Sequence, residues 1–289
     1  MSDGPKVFLD YDQAALDRAY DQTAWAPNMQ EVLQRRAAAS AAVRSRVTPQ
    51  RFRYGATEVE HLDVYPTSRP SAPIMVFLHG GAWRGGDATA QAYPADTFTG
   101  AGAHWVVPEF AVVMDVGLAA MVAQVRRAVA WVAANAARFG GDARRIYVAG
   151  HSSGGHLAGT VLVTDWARDF ELSPTLVKGG LCISGMYDLR AVRLSARSSY
   201  VKFDDRIEQA LSPQRHLDRI TCPVVVAYAE HDSPEFQRQS REFAAALEKA
   251  GKLGRLLVGA GLNHFEIPET LASADGLLGR AALELMQLA

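Results

Sequence analysis

Of 289 residues only two are cysteine, Cys182 and Cys222, and both sit in or beside apolar runs. That scarcity excludes a disulfide-built scaffold, and two thiols without clustered histidines make no metal site. No His-Glu-X-X-His stretch occurs, nor a glycine-rich loop ending in Lys-Ser or Lys-Thr, so neither a zinc hydrolase nor a phosphate-loop reading is available. Charge of one sign is lacking too. Thirty basic residues against 31 acidic ones leave a formal net charge of -1, which offers nothing to nucleic acid or to an anionic membrane. No apolar run approaches the roughly 18 residues of a membrane span. Met1 to Lys6 has no basic segment followed by an apolar one, so no signal peptide is expected and the cytoplasm is the default compartment. No cofactor or metal is implied. The expected partner is a small-molecule acyl substrate, with a second copy of the chain the one protein partner considered.

What is present is the makings of a sizeable core: 48% hydrophobic against 21% charged residues. Length alone suits one large domain or two small ones. Residues 10–46 read as two helices separated at Trp25-Ala26-Pro27-Asn28, where the proline disfavours helix in the residue before it. Loose alternation over 51–65 suggests early strands. Ile74-Met75-Val76-Phe77-Leu78 is a continuous apolar run of the kind buried on both faces of a sheet. Trp105-Val106-Val107 is a further short strand. Leu118, Met121, Val122, Val125, Val129, Val132 and Ala136 recur at helical spacing up to the stop at Gly140-Gly141. Strands at 146–149, 181–184, 224–228 and 255–258 alternate with helices, the one after Ser233 being capped by that serine. The alternation implies a mostly parallel sheet covered by helices on both faces. Residues 186–216 break it and read as an excursion over the strand ends. The whole, 1–289, is taken as a single domain, with 10–46 and 186–216 as small helical cap elements.

The chemistry centres on Gly150-His151-Ser152-Ser153-Gly154, placed between an apolar strand and a helix. This is the setting of a nucleophile elbow: a tight turn exposes the serine oxygen, and small neighbours let strand and helix approach. The pentapeptide alone equally describes a glycine-serine turn. It needs a base, an acid and oxyanion donors, in the chain order Ser, Asp or Glu, His. His264, in the loop after the last strand, is at the carboxyl edge of the sheet, where sites of parallel sheets form. His156 shares the serine's helix and suits packing; His216 lies in the excursion; His231 adjoins the candidate acid. Asp232 follows the 224–228 strand and is the first choice as acid, with Glu230 and Glu235 behind it and Asp188 one strand earlier. Oxyanion donors are expected from the amides of Ser153, after the nucleophile, and of Gly81 and Ala82, in His79-Gly80-Gly81-Ala82-Trp83.

The His79 to Trp83 motif resembles the His-Gly-Gly-X-Trp motif of the kynurenine formamidase (arylformamidase) group of α/β-hydrolases, a group related to hormone-sensitive-lipase-like esterases. The resemblance extends over roughly residues 10–285. It includes Gly150 to Ala158, Ile183-Ser184-Gly185-Met186-Tyr187-Asp188-Leu189 and Asn263-His264-Phe265. It places the family's serine, acid and histidine on Ser152, Asp232 and His264. The chain departs from the family pattern at Val107-Pro108-Glu109-Phe110, a segment able to line the site. The expectation is an α/β-hydrolase fold and a metal-independent serine hydrolase cleaving a small acyl amide or ester, with an N-formyl arylamine implied by the resemblance. A carboxylesterase on short-chain or aryl esters is the alternative, and a non-catalytic binding member of the fold is the alternative of another class. Trp83 is a candidate to narrow the acyl side and stack on an aryl ring, the other reading being core packing under its loop. Phe110 and Tyr187 are further candidates for the aryl side.

Overall fold

The run at 74–78 lies in the middle of the molecule, where its alternate side chains enter two separate cores. In the computed structural model, which describes residues 4–289, it belongs to β3 (Ala72–Leu78), and every residue of that strand is buried. Ile74, Val76 and Leu78 pack on one face of the sheet, Met75 and Phe77 on the other. The period of two thus drives a three-layer structure, since both faces need apolar cover.

The other strands are β1 (Gln50–Arg53), β2 (His61–Tyr65), β4 (His104–Pro108), β5 (Gly141–His151), β6 (Val177–Ile183), β7 (Val224–Ala229) and β8 (Leu253–Gly259). They form one eight-stranded sheet in the order β1-β2-β4-β3-β5-β6-β7-β8. β1 and β2, and β2 and β4, are antiparallel; every later pairing is parallel.

Ahead of the sheet come α1 (Gln13–Tyr20) and α2 (Met29–Arg46), separated as Pro27 requires. After β3 follow α3 (Ala95–Gly100), α4 (Val113–Asn135) and, beyond the serine, α5 (Ser153–Leu162). The excursion at 186–216 carries α7 (Arg190–Leu194), α8 (Ser198–Val201) and α9 (Asp205–Leu211), with the short α6 (Trp166–Phe170) before it. The last helices are α10 (Pro234–Lys249) and α11 (Leu277–Leu285). α4, α5 and α10 cover one face through Val125, Val129, Leu157, Phe236 and Phe243. α3, α11 and the end of α2 cover the other through Phe98, Leu278, Ala282 and Val43. Each such side chain contributes about 1.5–3 kcal/mol on burial.

α4 qualifies one sequence expectation. Residues Val113–Phe139 reach a mean hydropathy of 1.3 over an 18-residue window, enough by length and composition alone to cross a membrane. Its apolar stripe, however, is spent on the core, and the helix is broken at Gly117 (φ 76). The same stripe that covers a sheet raises the average hydropathy, so α4 is a core helix. The stop at its far end is the expected one, with Gly140 left-handed at φ 83.

Candidate active site

β5 ends in a turn that only its glycines permit. A Cβ on Gly150 would lie 2.0 Å from the Gly154 carbonyl oxygen, and one on Gly154 would lie 2.0 Å from that of Leu78. Ser152 sits between them at φ 59, ψ -122, a strained conformation for a residue with a side chain. Its amide is tied to the Ile183 carbonyl at 2.9 Å, which holds the turn against β6.

Three distant segments meet at its oxygen. The Ser152 hydroxyl is 2.9 Å from His264 Nε2, and His264 Nδ1 donates to Asp232 Oδ1 at 2.6 Å. An ionised carboxylate can only accept, so the proton sits on Nδ1 and Nε2 is left as acceptor for the serine. Asp232 is held in turn: its Oδ2 accepts from Ser184 Oγ at 2.6 Å and from the Ala229 amide at 2.9 Å. All three residues are buried, and the rings of Phe236 and Phe265 stand edge-on to His264. The other candidate acids are occupied elsewhere. Glu230 accepts from the Gly261 amide, Glu235 pairs with Arg238, and Asp188 with Arg215.

Opposite the serine the chain makes a left-handed run: Gly81, Ala82 and Trp83 have φ of 126, 55 and 60. The Gly81 and Ala82 amides have no acceptor among the described residues, and the Ser153 amide is in the first turn of α5, where no intrahelical partner exists. The loop is anchored by Glu109. That carboxylate accepts from His79 Nε2 at 3.1 Å, the Ala88 amide at 2.8 Å and the Phe110 amide at 3.1 Å. Burial favours its neutral form, but these bonds prevail and its pKa lies below the ordinary glutamate value. The departure at 107–110 therefore fixes the loop and does not wall the large cavity.

A cavity of about 660 Å³ opens over Ser152 and His264. Its walls come from Gly80 to Ala82, from α1 and α2 with their connection, and from residues 196–200 of the excursion. The two cap elements are joined to each other: Asp17 accepts from the Ala196 amide, and Arg197 donates to the Tyr20 carbonyl.

None of the three aromatic residues expected at the substrate lines this cavity; Trp83 and Phe110 instead line a second, much smaller one that Gly80 and Ser153 also border, and Tyr187 lines neither. Trp83, at positive φ, turns its indole into the core, 2% exposed, where Nε1 donates to His156 Nδ1 at 3.2 Å. His156 completes the contact by donating Nε2 to the Leu211 carbonyl; burial lowers its pKa to about 4, so it is a neutral packing residue. Phe110 stacks on His79 with ring centroids 4.2 Å apart. Tyr187 is wholly buried, stacks on Phe243 and accepts from the Gly185 amide. The residues that do face the cavity and that the motif reading missed include Gln22, Arg36, His151 and Arg197. Ser184, which donates to the acid, shows in the sequence only as the end of a strand.

Sheet order, elbow and strand-end loops together define an α/β-hydrolase. A family model described as "BD-FAE" matches residues 62–177, and one described as "Prolyl oligopeptidase family" matches 121–274. The kynurenine formamidase of Danio rerio is 32% identical over 94% of this chain and 95% of its own length. Esterase LipQ of Mycobacterium tuberculosis is 31% identical over 65% of this chain and 48% of its own. A solved structure from Silicibacter sp. TM1040 superposes with a TM-score of 0.80, covering 91% of this chain and 97% of that one at 23% identity. An esterase from Thermogutta terrifontis gives 0.65, with 83% and 90% covered at 24% identity; at such identities the likeness is one of fold. This chain belongs to the kynurenine formamidase-like esterase family and is a hydrolase.

Proposed function

We propose that this chain is a metal-independent serine hydrolase that removes the formyl group from N-formyl arylamines through a formyl-enzyme. The observation that carries the reading is the unbroken hydrogen-bonded line Ser152–His264–Asp232 beneath a cavity of about 660 Å³. His264 Nε2 takes the serine proton as Oγ attacks the carbonyl carbon. The oxyanion so formed is received by the amides of Gly81, Ala82 and Ser153, each donor contributing about 2.7–4 kcal/mol to the barrier's reduction. Asp232 stabilises the imidazolium and keeps its tautomer. His264 then gives its proton to the departing arylamine nitrogen, and a water activated by the same ring frees the formate.

The near-full-length similarity to a kynurenine formamidase supports the formyl amide as substrate. A second reading, a carboxylesterase on short-chain or aryl esters, draws on the similarity to esterase LipQ and on a cavity far larger than a formyl group needs. Cytoplasmic residence belongs to the same proposal and is supported by two free, buried cysteines. Formanilide and formylkynurenine assayed beside p-nitrophenyl acetate and butyrate test it. Turnover of the formamides with a kcat/KM at least equal to that of the esters is expected. Ester turnover alone would leave the hydrolase and remove the formamidase, and no turnover of either would favour a non-catalytic member of the fold.

A further inference from the structure

The residue after the acid and the residue before the base are both bound to the N-terminal helical segment. Ser233, which follows Asp232, donates its hydroxyl to the Ala19 carbonyl at 2.6 Å. Asn263, which precedes His264, donates Nδ2 to Asn28 Oδ1 at 2.7 Å. Asn28 donates its own Nδ2 to Glu266 Oε1 at 2.7 Å, and Glu266 Oε2 accepts from the Asn263 amide at 2.9 Å. Asn263, Asn28 and Glu266 thus close a hydrogen-bonded ring, and two of its three bonds cross from the start of α2 to the loop of His264. A second tie runs beside it, where Arg35 on α2 donates to both oxygens of Glu269 at 3.0 and 2.8 Å.

The ring has one orientation. Asn263 Oδ1 accepts from the Phe265 amide at 2.9 Å and from the Glu266 amide at 3.3 Å. Its Nδ2 is therefore the group that faces Asn28, which presents oxygen to it and NH2 to the carboxylate. These bonds brace the backbone on both sides of His264, since Asn263 and Phe265 flank it. Asn263 is only 7% exposed, so water does not replace a bond lost there. Asn28 gives up its ordinary use to take part. It is the N-cap of α2, where an asparagine oxygen normally accepts from an amide of the first turn, yet its side chain makes no capping bond.

We infer that Asn28 is a positioning residue for the general base: the N-terminal segment that walls the cavity also seats His264 against Ser152. The inference rests on the serine-hydrolase reading above and is independent of which acyl group is cleaved. His264 Nε2 is 2.9 Å from the Ser152 hydroxyl, and a misplacement of about 1 Å at a reacting centre costs on the order of 100-fold. Asn28, Asn263 and Glu266 do not line the cavity, so they act on the rate through the base and not through substrate contact.

Asn28→Ser separates positioning from stability. Serine is a good N-cap, so α2 keeps its start while the short side chain opens the ring. The readouts are the rate of Ser152 labelling by a fluorophosphonate, kcat and KM for p-nitrophenyl acetate and formanilide, and Tm. Labelling and kcat are expected to fall about 10- to 100-fold, with KM within about threefold and Tm close to that of the wild type. The polarity of the ring supplies a rescue. Asn28→Asp sets two carboxylates against each other, and Glu266→Gln turns an NH2 group on a donor whichever way it lies; each alone lowers kcat. In the double variant, acid and amide have changed places. The carboxylate at 28 accepts from Asn263 and from the amide at 266, whose oxygen accepts from the Asn263 N–H, so every bond is remade at the same net charge. Its kcat is expected to return to within about threefold of wild type, the coupling that a shared network requires. Asn28→Ser with labelling and kcat within about twofold of wild type, a loss carried by KM alone, or a double variant no faster than the slower single overturns the inference. A wild type that neither labels nor turns over either substrate removes the hydrolase reading, and the inference with it.

Discussion

Glu109 offers a sharp perturbation because one carboxylate ties together three donors around the oxyanion loop. It is 14% exposed and accepts three bonds, from His79 Nε2 and from the Ala88 and Phe110 amides. In Glu109→Gln the shape is kept, but one acceptor oxygen becomes an NH2 group facing donors. At about 1.5–3 kcal/mol for a bond to a charged group, loss of one such bond and weakening of the others costs about 2–4 kcal/mol. For a chain of this size that lowers Tm by about 4–8 °C at neutral pH. The loop carries Gly81 and Ala82, and a displacement near 1 Å at a reacting centre costs on the order of 100-fold, so kcat should fall by about 10- to 100-fold. The sign with pH is fixed by the depressed pKa. A carboxyl lowered in the folded state stabilises it above the ordinary value of 4.5, and that contribution is lost as pH falls through the folded value. The Tm gap between wild type and variant should therefore narrow below pH 4.5. Thermal denaturation across pH, with steady-state kinetics at neutral pH, measures both. A variant with wild-type Tm and kcat at pH 7 would refute the anchoring role.

Ser184→Ala removes the 2.6 Å bond to Asp232 Oδ2 and leaves only the Ala229 amide there. A drop in kcat/KM of about tenfold or more is expected from a charge-assisted bond of this class, with little change in fold by circular dichroism; unchanged kinetics would show that the amide alone suffices. Trp83→Phe strands His156 Nδ1 in the core and should cost about 1–3 kcal/mol in a denaturant titration. Its preference for aryl over alkyl substrates should stay within twofold of wild type. A collapse of that preference would put the indole back at the cavity wall.

How far the sequence leads differs from residue to residue, and the reason is geometrical. Ser152, Asp232 and His264 each follow a run readable as a strand, and in a parallel sheet the residues just past the strands share one edge. Chain position alone then brings them near one another, and the structure places them within hydrogen-bond distance. Gly150 and Gly154 were legible for the same kind of reason, since the crossing of β5 and α5 leaves no space for a Cβ. Trp83, Phe110 and Tyr187 were not. Their loops could be located, but which way a loop side chain points depends on the sign of φ, and Trp83 at φ 60 is turned inward. Arg36 and Arg197 were hidden for another reason. Apolar periodicity reports which face of α2 meets the core, and Arg36 on that helix reads as solvent-facing unless the segment carrying Gln91 and Tyr93 is known to pack on it, while Arg197 lies in the excursion, which has no periodicity to read. Ser184 lay in plain view, one residue past β6, but nothing in its type distinguishes a support for an acid from a strand end.

The most direct measurement is on Ser152 itself. Wild type and Ser152→Ala are treated with a fluorophosphonate, the adduct is mapped by mass spectrometry, and formanilide and p-nitrophenyl acetate turnover are compared. The expected result is a single adduct on Ser152, none in the variant, and a loss of at least about 10^3-fold in kcat with Tm within a few degrees of wild type, as removal of a triad nucleophile entails. Labelling elsewhere in the wild type, or substantial turnover by a folded Ser152→Ala, would contradict the assignment of Ser152 as nucleophile.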